Sequence, residues 1–125
     1  MHPKFIDHIV LIVKDIGVTE RFYSKFLGKP IQSDKEQVAY QIGETKIFFG
    51  LPYSEWQKIE KDKSGLNHLA FGVKTLKELK EFEKILNKEG LKNSGIKIDR
   101  YGKKEFIWFD DPNRIRIEFY LRSVI

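Results

Sequence analysis

The chain has 125 residues, of which 41% are hydrophobic and 33% charged, and its net charge is +5. This length fits one compact domain, and the absence of cysteine excludes disulfides, thiolate metal sites and cysteine nucleophiles. The basic residues are mixed with acidic ones, as in Lys58–Lys63, which is typical of a solvated surface and not of a nucleic-acid-binding stripe. No apolar run approaches the ~20 residues of a membrane span. Because Met1–Lys4 leads straight into a predicted strand, no room is left for a signal peptide, and we expect a cytoplasmic protein with neither nucleic acid nor membrane as a partner.

The first half of the chain predicts the element order β-α-β-β-β. Residues 5–13 are apolar and β-branched, as in a short strand. A helix is predicted over 17–27, with Asp15 as its N-cap and Gly28 as its C-terminal stop. Three short strands follow at 30–32, 38–42 and 46–50, with a turn at 43–45 between the last two. We assign this first module to about residues 5–51.

The second half repeats this order after a polar connector over 52–65. Residues 66–73 predict a strand, and residues 76–89 predict an amphipathic helix with one apolar stripe. Three further strands are predicted near 96–101, 106–109 and 115–121, which places the second module at about 66–121. One module alone would bury only ~60% of its unfolded surface, so the two modules are expected to pair in a single domain and gain a larger core.

The repeat carries a histidine at the same point of each module, His8 and His68. Side chains alternate between the two faces of a strand, so Ile117 and Phe119 face the side that a helix would cover. Glu118 then lies on the opposite face. An ionised carboxylate between two apolar neighbours is costly unless it faces water or a counter-charge.

His8, His68 and Glu118 are therefore candidate metal ligands, all three predicted inside strands. Two imidazoles and one carboxylate, with coordination positions left open, suit divalent iron, manganese, zinc or nickel. Taken singly, each has a simpler explanation. A lone histidine in a strand is commonly a hydrogen-bonded, partly buried residue, and Glu118 could pair with a neighbouring Lys or Arg.

Four segments of the chain carry a family resemblance: Asp7–Leu11, Phe22–Gly28, Asn67–Phe71 and Asp111–Phe119. In them the chain resembles the vicinal oxygen chelate superfamily, also called the glyoxalase, bleomycin-resistance and extradiol-dioxygenase family. The resemblance implies an α+β fold of two paired βαβββ modules that form a cup-shaped mixed sheet, with the helices on the outer face. It also implies a metal held by His8, His68 and Glu118, and a homodimer in which each cup commonly combines modules from both subunits.

The chain departs from each well-known branch of that family. Glyoxalase I enzymes have a fourth ligand where this chain has Phe48, or Phe49 if the register slips, and fosfomycin-inactivating transferases typically have a Thr where it has Val10. Extradiol dioxygenases use a further histidine, and the one left here, His2, stands at the start of the chain. The sequence favours none of the tyrosines that could replace it, Tyr40, Tyr101 and Tyr120. Metal-free bleomycin-binding relatives lack the ligand set that this chain keeps.

Strand parity also predicts the substrate contacts, which are Lys46, Phe48, Trp108, Arg116 and Tyr120. The aromatic residues would form apolar walls, and the cationic ones could neutralise an anionic substrate group. The sequence thus predicts a divalent-metal-dependent lyase, isomerase, transferase or dioxygenase that acts on a small, oxygen-chelating substrate, with no catalytic base identified. The alternative is a metal-free protein that binds or sequesters a small molecule.

Overall fold

The computed structural model describes residues 1–122 and divides the chain into two compact units, Met1–Gln57 and a second that begins at Lys58. Each unit has the predicted order β-α-β-β-β and forms its own four-stranded mixed sheet. Among the described residues no helix is both long enough and apolar enough to span a bilayer.

The first unit contains four strands and one helix. Its elements are β1 (His8–Ile12), α1 (Ile16–Leu27), β2 (Gln32–Ser33), β3 (Gln37–Ile42) and β4 (Thr45–Gly50). The sheet order is β1-β4-β3-β2, with β1 parallel to β4 and the other pairs antiparallel. Gly43 has φ 58° in the two-residue turn between β3 and β4, a conformation that glycine adopts without strain.

Helix α1 ends where the sequence predicts and begins one residue earlier, directly after the predicted N-cap, because the predicted caps form. The Asp15 carboxylate accepts a hydrogen bond from the Val18 amide at 2.9 Å, and Gly28 follows the last turn at φ 76°. The helix covers one face of the sheet, where Tyr23 stacks on Phe49 with ring centroids 4.3 Å apart. The core of this unit is therefore an aromatic layer between α1 and the strands β3 and β4.

Tyr40 is the polar member of this layer. Its side chain is fully buried, and its hydroxyl lies 2.8 Å from Ser24 Oγ and donates to the Glu20 carbonyl. Burial raises the pKa of the Tyr40 phenol above its ordinary value, and the hydrogen bond with Ser24 lowers it by less. Above about pH 10 the unfolded chain loses this proton while the folded chain keeps it, so the folded state loses stability as pH rises.

We expect Tyr40→Phe to abolish the part of the alkaline loss of stability that comes from deprotonation of the Tyr40 phenol. At pH 8 the variant should be less stable than wild type by about 1 kcal/mol, because two hydrogen bonds are lost. The difference should shrink between pH 10 and pH 11, and urea unfolding at each pH measures it. Tyr53→Phe, at a fully exposed position, is the matched control and should follow the wild-type curve. A Tyr40→Phe deficit that stays constant or grows with pH would contradict this account.

The second unit repeats the first. Its elements are β5 (Leu69–Val73), α2 (Leu76–Lys88), β6 (Lys97–Ile98), β7 (Glu105–Asp110) and β8 (Arg116–Leu121). The sheet order is β5-β8-β7-β6, with β5 parallel to β8. Helix α2 is capped by Thr75 and packs on β8, where Phe82 stacks on Phe119 with centroids 4.1 Å apart. The helix covers one face of the sheet, and Glu118 points to the other.

Several predicted strands are shorter than expected, among them β2, which spans Gln32–Ser33 where 30–32 was predicted. β1 and β5 begin at His8 and Leu69, each three residues later than predicted, and β6 contains two residues where 96–101 were expected. The prediction that His68 lies inside a strand is therefore wrong, since it immediately precedes β5. Its neighbour Asn67 is bonded to the Lys61 carbonyl in the connecting loop, so loop contacts hold this segment.

Candidate functional site

The two units have matching strand registers around their histidines. In the first unit β1 pairs with β4 so that Val10 is opposite Phe48, and in the second β5 pairs with β8 so that Ala70 is opposite Glu118. Val10 and Ala70 each lie two residues after a histidine. Phe48 thus occupies the position of Glu118 in the first unit, where it lies edge-on to His8 at 5.7 Å.

His68 is held in one tautomer by the residue before it. The Asn67 side-chain nitrogen donates to the Lys61 carbonyl at 2.9 Å, which turns the amide oxygen toward the imidazole. That oxygen lies 2.7 Å from His68 Nδ1, so Nδ1 carries the hydrogen and donates it. In the neutral ring Nε2 is then an unprotonated nitrogen with a free lone pair, the form in which histidine binds a metal.

His8 has the same arrangement in the first unit. Its Nδ1 lies 2.9 Å from the Asp7 carboxylate, which can only accept, so Nδ1 is again the donor and Nε2 is left free. The His8 side chain is 53% exposed. An acceptor immediately before each histidine is thus a shared property of the repeat, and it leaves Nε2 as the nitrogen of each neutral ring that has a free lone pair.

Glu118 lies between two cationic or cation-forming groups. Its side chain is 8% exposed, its Oε2 accepts from Arg116 Nη2 at 3.1 Å, and its Oε1 faces His68 Nε2 at 3.7 Å. The second distance is too long for an N–H···O hydrogen bond. Arg116 in turn lies over the Trp108 ring at 4.6 Å. One carboxylate oxygen is therefore fixed by Arg116, and the other is directed at an imidazole without a direct hydrogen bond.

The gap between His68 Nε2 and Glu118 Oε1 fits a cation. When the ring is neutral, two lone pairs face each other across it, which is unfavourable in a partly buried site unless positive charge lies between them. Metal–nitrogen and metal–oxygen bonds of about 2.0–2.2 Å each could span the 3.7 Å with the ion slightly off the line between the two atoms. Within residues 1–122 no group of three or more potential metal-ligating side chains converges, so the second unit by itself offers only the candidate pair His68 and Glu118.

A cleft of about 530 Å³ opens over this pair in the second unit. Its lining includes His68 and Glu118 and extends along β8 to Tyr120. On β5 the lining residues are Ala70 and Gly72, so this strand adds almost no side-chain volume to the cleft. Clefts of this size commonly hold small molecules.

Tyr120 forms part of the cleft wall and is fixed by a loop. Its hydroxyl donates to Asp99 Oδ2 at 2.7 Å, and its ring lies 6.0 Å from that of Phe106. The hydrogen bond to Asp99 is the main reason that the pKa of Tyr120 is raised, and the same bond lowers the pKa of Asp99. A Cβ at Gly102 would lie 1.8 Å from the Tyr120 hydroxyl, so only glycine allows this approach of the loop.

The five predicted substrate contacts fall in different places. Arg116 and Tyr120 line the cleft of the second unit, whereas Trp108 supports the Arg116 guanidinium. Lys46 is exposed and Phe48 is half-buried, both on β4 of the first unit. The alternation of side chains along β8 thus predicted the correct strand face for Arg116 and Tyr120. That these residues contact a substrate stays a prediction.

A family model described as the "Glyoxalase/Bleomycin resistance protein/Dioxygenase superfamily" matches residues 5–119. The chain belongs to this superfamily. "Uncharacterized protein YaeR" of Escherichia coli strain K12 is 27% identical over 94% of this chain and 95% of its own length.

Two solved structures of the superfamily show how the same fold is used for different purposes. The fosfomycin resistance protein FosX of Listeria monocytogenes aligns with a TM-score of 0.75 and 21% identity, over 98% of this chain and 97% of its own. Lactoylglutathione lyase of Agrobacterium tumefaciens aligns with a TM-score of 0.74 and 15% identity, over 95% of this chain and 94% of its own. At these identities the likeness establishes the fold alone.

Sequence reasoning missed several residues of the site. In the sequence Asp7 and Asn67 are visible as parts of the repeat, but not as the groups that select the tautomer of each histidine. Their positions directly before each His were a usable signal. Asp99 had no such signal, because it meets Tyr120 through a loop 21 residues away in sequence. Members of the superfamily commonly use divalent metals and bind small molecules.

Proposed function

We propose that this protein is a divalent-metal-dependent enzyme of the superfamily, with His68, Glu118 and His8 as the metal ligands. The observation that supports this most is the His68 Nε2 and Glu118 Oε1 pair, 3.7 Å apart with no hydrogen bond between them. The tautomer that Asn67 imposes leaves His68 Nε2 ready to coordinate. Two imidazoles and a carboxylate suit iron, manganese, zinc or nickel.

His8 completes the set by its equivalence to His68. Its Nδ1 is bonded to Asp7 as that of His68 is to Asn67. At the matching strand position the first unit has Phe48 instead of a carboxylate. His8 would therefore coordinate a metal only together with ligands from a second unit. That second unit belongs either to the same chain or to another copy.

An apolar strip beside His8 supports a homodimer. On the same face of β1, Val10 and Ile12 are 55% and 44% exposed, and covering them would be favourable. A second copy of the chain is the occupant that would also bring its own His68 and Glu118. Sedimentation equilibrium of the untagged protein at micromolar concentration checks this, and a mass of one chain would contradict the dimer.

The chemistry proposed for the site is Lewis-acid catalysis on a small substrate. A bound divalent ion would polarise two neighbouring substrate oxygens and stabilise the negative charge that develops on them. The residues that line the cleft would shape the space for the substrate and offer it a hydrogen-bond acceptor. Ala70 and Gly72 leave room for the substrate above β5, Tyr120 forms a wall, and its phenolic oxygen, with its proton donated to Asp99, can accept a hydrogen bond from the substrate.

A metal-free binding protein is the second candidate, and the Arg116–Glu118 ion pair favours it. Arg116 provides Glu118 with a charged partner at 3.1 Å, so the buried carboxylate is compensated without a metal. On this alternative the cleft would hold a small molecule with no chemistry at the His68–Glu118 pair.

Metal titration of the untagged protein distinguishes the two candidates. We expect wild type to bind one Zn²⁺, Ni²⁺, Mn²⁺ or Fe²⁺ ion per chain, and His68→Ala to weaken that binding by about 100-fold or more, since even an outer partner of a ligand contributes about 10–100-fold. The matched control is His2→Ala, outside both units' strands. Absence of binding by wild type with all four ions at millimolar concentration would favour the binding protein.

A further inference from the structure

Arg116 lies beside the candidate metal site, between Trp108 and Glu118. It stands two residues before Glu118 on β8, so both side chains are on the same face of the sheet. Its guanidinium lies over the Trp108 ring at 4.6 Å, and Nη2 donates to Glu118 Oε2 at 3.1 Å. Among the described residues its buried Nε atom has no hydrogen-bond partner, so stacking on Trp108 and the bond to Glu118 are what fix the side chain.

We propose that Arg116 is a positioning residue that makes Glu118 a one-oxygen ligand, and that its charge weakens the binding of a divalent ion there. This inference rests on the proposed function. Arg116 occupies Oε2, so Oε1, which faces His68 Nε2, is the oxygen left for an ion. A carboxylate confined to one oxygen uses one coordination position, which leaves more positions for the two oxygens of a chelating substrate.

Two opposing effects of Arg116 on metal affinity can be compared by size. Orientation of a ligand by an outer partner strengthens metal binding by about 10–100-fold. A single and a double positive charge about 6 Å apart, at an effective dielectric constant of about 20, repel each other by the equivalent of roughly 10⁴-fold in a binding constant. Repulsion is the larger effect, so Arg116 is expected to lower the affinity for metal.

The same contacts predict how the metal-free protein, prepared with a chelator, responds to the loss of Arg116. Glu118 is 8% exposed, and among the described residues its one other ion-pair neighbour is His68, which carries a charge only when protonated. Breaking a buried pair by removal of one partner is destabilising, and a fall in Tm of roughly 5–10 °C is expected. Saturation with a divalent ion should reverse most of this fall, because the ion replaces the missing positive charge.

The experiment measures Ni²⁺ affinity and Tm for wild type and three variants of the full-length, untagged chain. Arg116→Met keeps a side chain that can pack on Trp108 but removes the charge, and we expect its Ni²⁺ Kd to fall at least about tenfold. Arg116→Lys keeps the charge, and its Kd should stay within about threefold of wild type. Arg100→Met is the matched control, since Arg100 also lies over a ring, that of Tyr101, but away from Glu118. Arg116→Gln replaces the Met variant if that one does not fold.

The outcomes separate this inference from the proposed function. Tighter Ni²⁺ binding by Arg116→Met, with Arg116→Lys unchanged, supports it. Equal or weaker binding by Arg116→Met, when wild type binds, overturns it and leaves the metal site intact. Binding by Arg116→Met when wild type binds no metal supports the inference and contradicts the proposed function. Absence of binding by every variant overturns both.

Discussion

Replacement of Glu118 by Gln is expected to abolish metal binding by a folded protein. Gln has nearly the same shape and keeps an oxygen that can accept from Arg116, so the contact at 3.1 Å can persist. The variant lacks the negative charge that balances a divalent ion beside His68. The affinity for Zn²⁺ or Ni²⁺ should fall by about 100-fold or more, beyond what the loss of an outer partner produces, and isothermal titration calorimetry measures it.

Glu81→Gln is the control for this substitution, because Glu81 is an exposed glutamate on α2. It should bind metal as wild type does. Circular dichroism must show the same secondary structure for both variants. If Glu118→Gln binds the ion within about threefold of wild type, the carboxylate is not a ligand and the ion, where one binds, is held elsewhere.

Truncation of Phe119 to Ala is expected to destabilise the second unit by about 3–5 kcal/mol. The ring is 1% exposed and lies between the helix and the sheet, stacked on Phe82 at 4.1 Å and near Phe109 at 5.6 Å. Its loss leaves a cavity that the rigid neighbouring rings cannot fill. Since small domains are stable by only about 5–15 kcal/mol, a large part of that stability would be lost.

Urea unfolding followed by far-UV circular dichroism measures the change caused by Phe119→Ala. Phe5→Ala is the matched control, because Phe5 is 52% exposed and its truncation should change stability by less than about 0.5 kcal/mol. A loss below about 1 kcal/mol for Phe119→Ala would mean that the ring does not anchor α2 to β8.

The fold was predictable because local patterns and the repeat agree. Alternation along residues 115–121 separated Ile117 and Phe119, which are buried under α2, from Glu118 on the other face. Asp15 and Gly28 set the ends of α1 through contacts within a few residues. These signals are local in sequence, so one amino-acid sequence is sufficient to reveal them.

The contacts of the site were only partly predictable, because they depend on side-chain positions across neighbouring strands and on the paths of loops. Parity placed Trp108 and Arg116 on one face, but it could not show that the ring supports the guanidinium. The bond between Tyr120 and Asp99 depends on the path of the loop that contains Gly102. The tautomer of His68 depends on the Lys61 carbonyl, which orients Asn67. The last two contacts depend on loop geometry that no local pattern encodes.

The most direct test of the metal site is anomalous diffraction from crystals of the untagged protein, measured at the edges of iron, manganese, zinc and nickel. The proposal predicts one anomalous peak bonded to His68 Nε2 and Glu118 Oε1, with His8 Nε2 of the same or a second chain as a further ligand. A structure from metal-supplemented protein with no peak there, and with His68 hydrogen-bonded directly to Glu118, would contradict it.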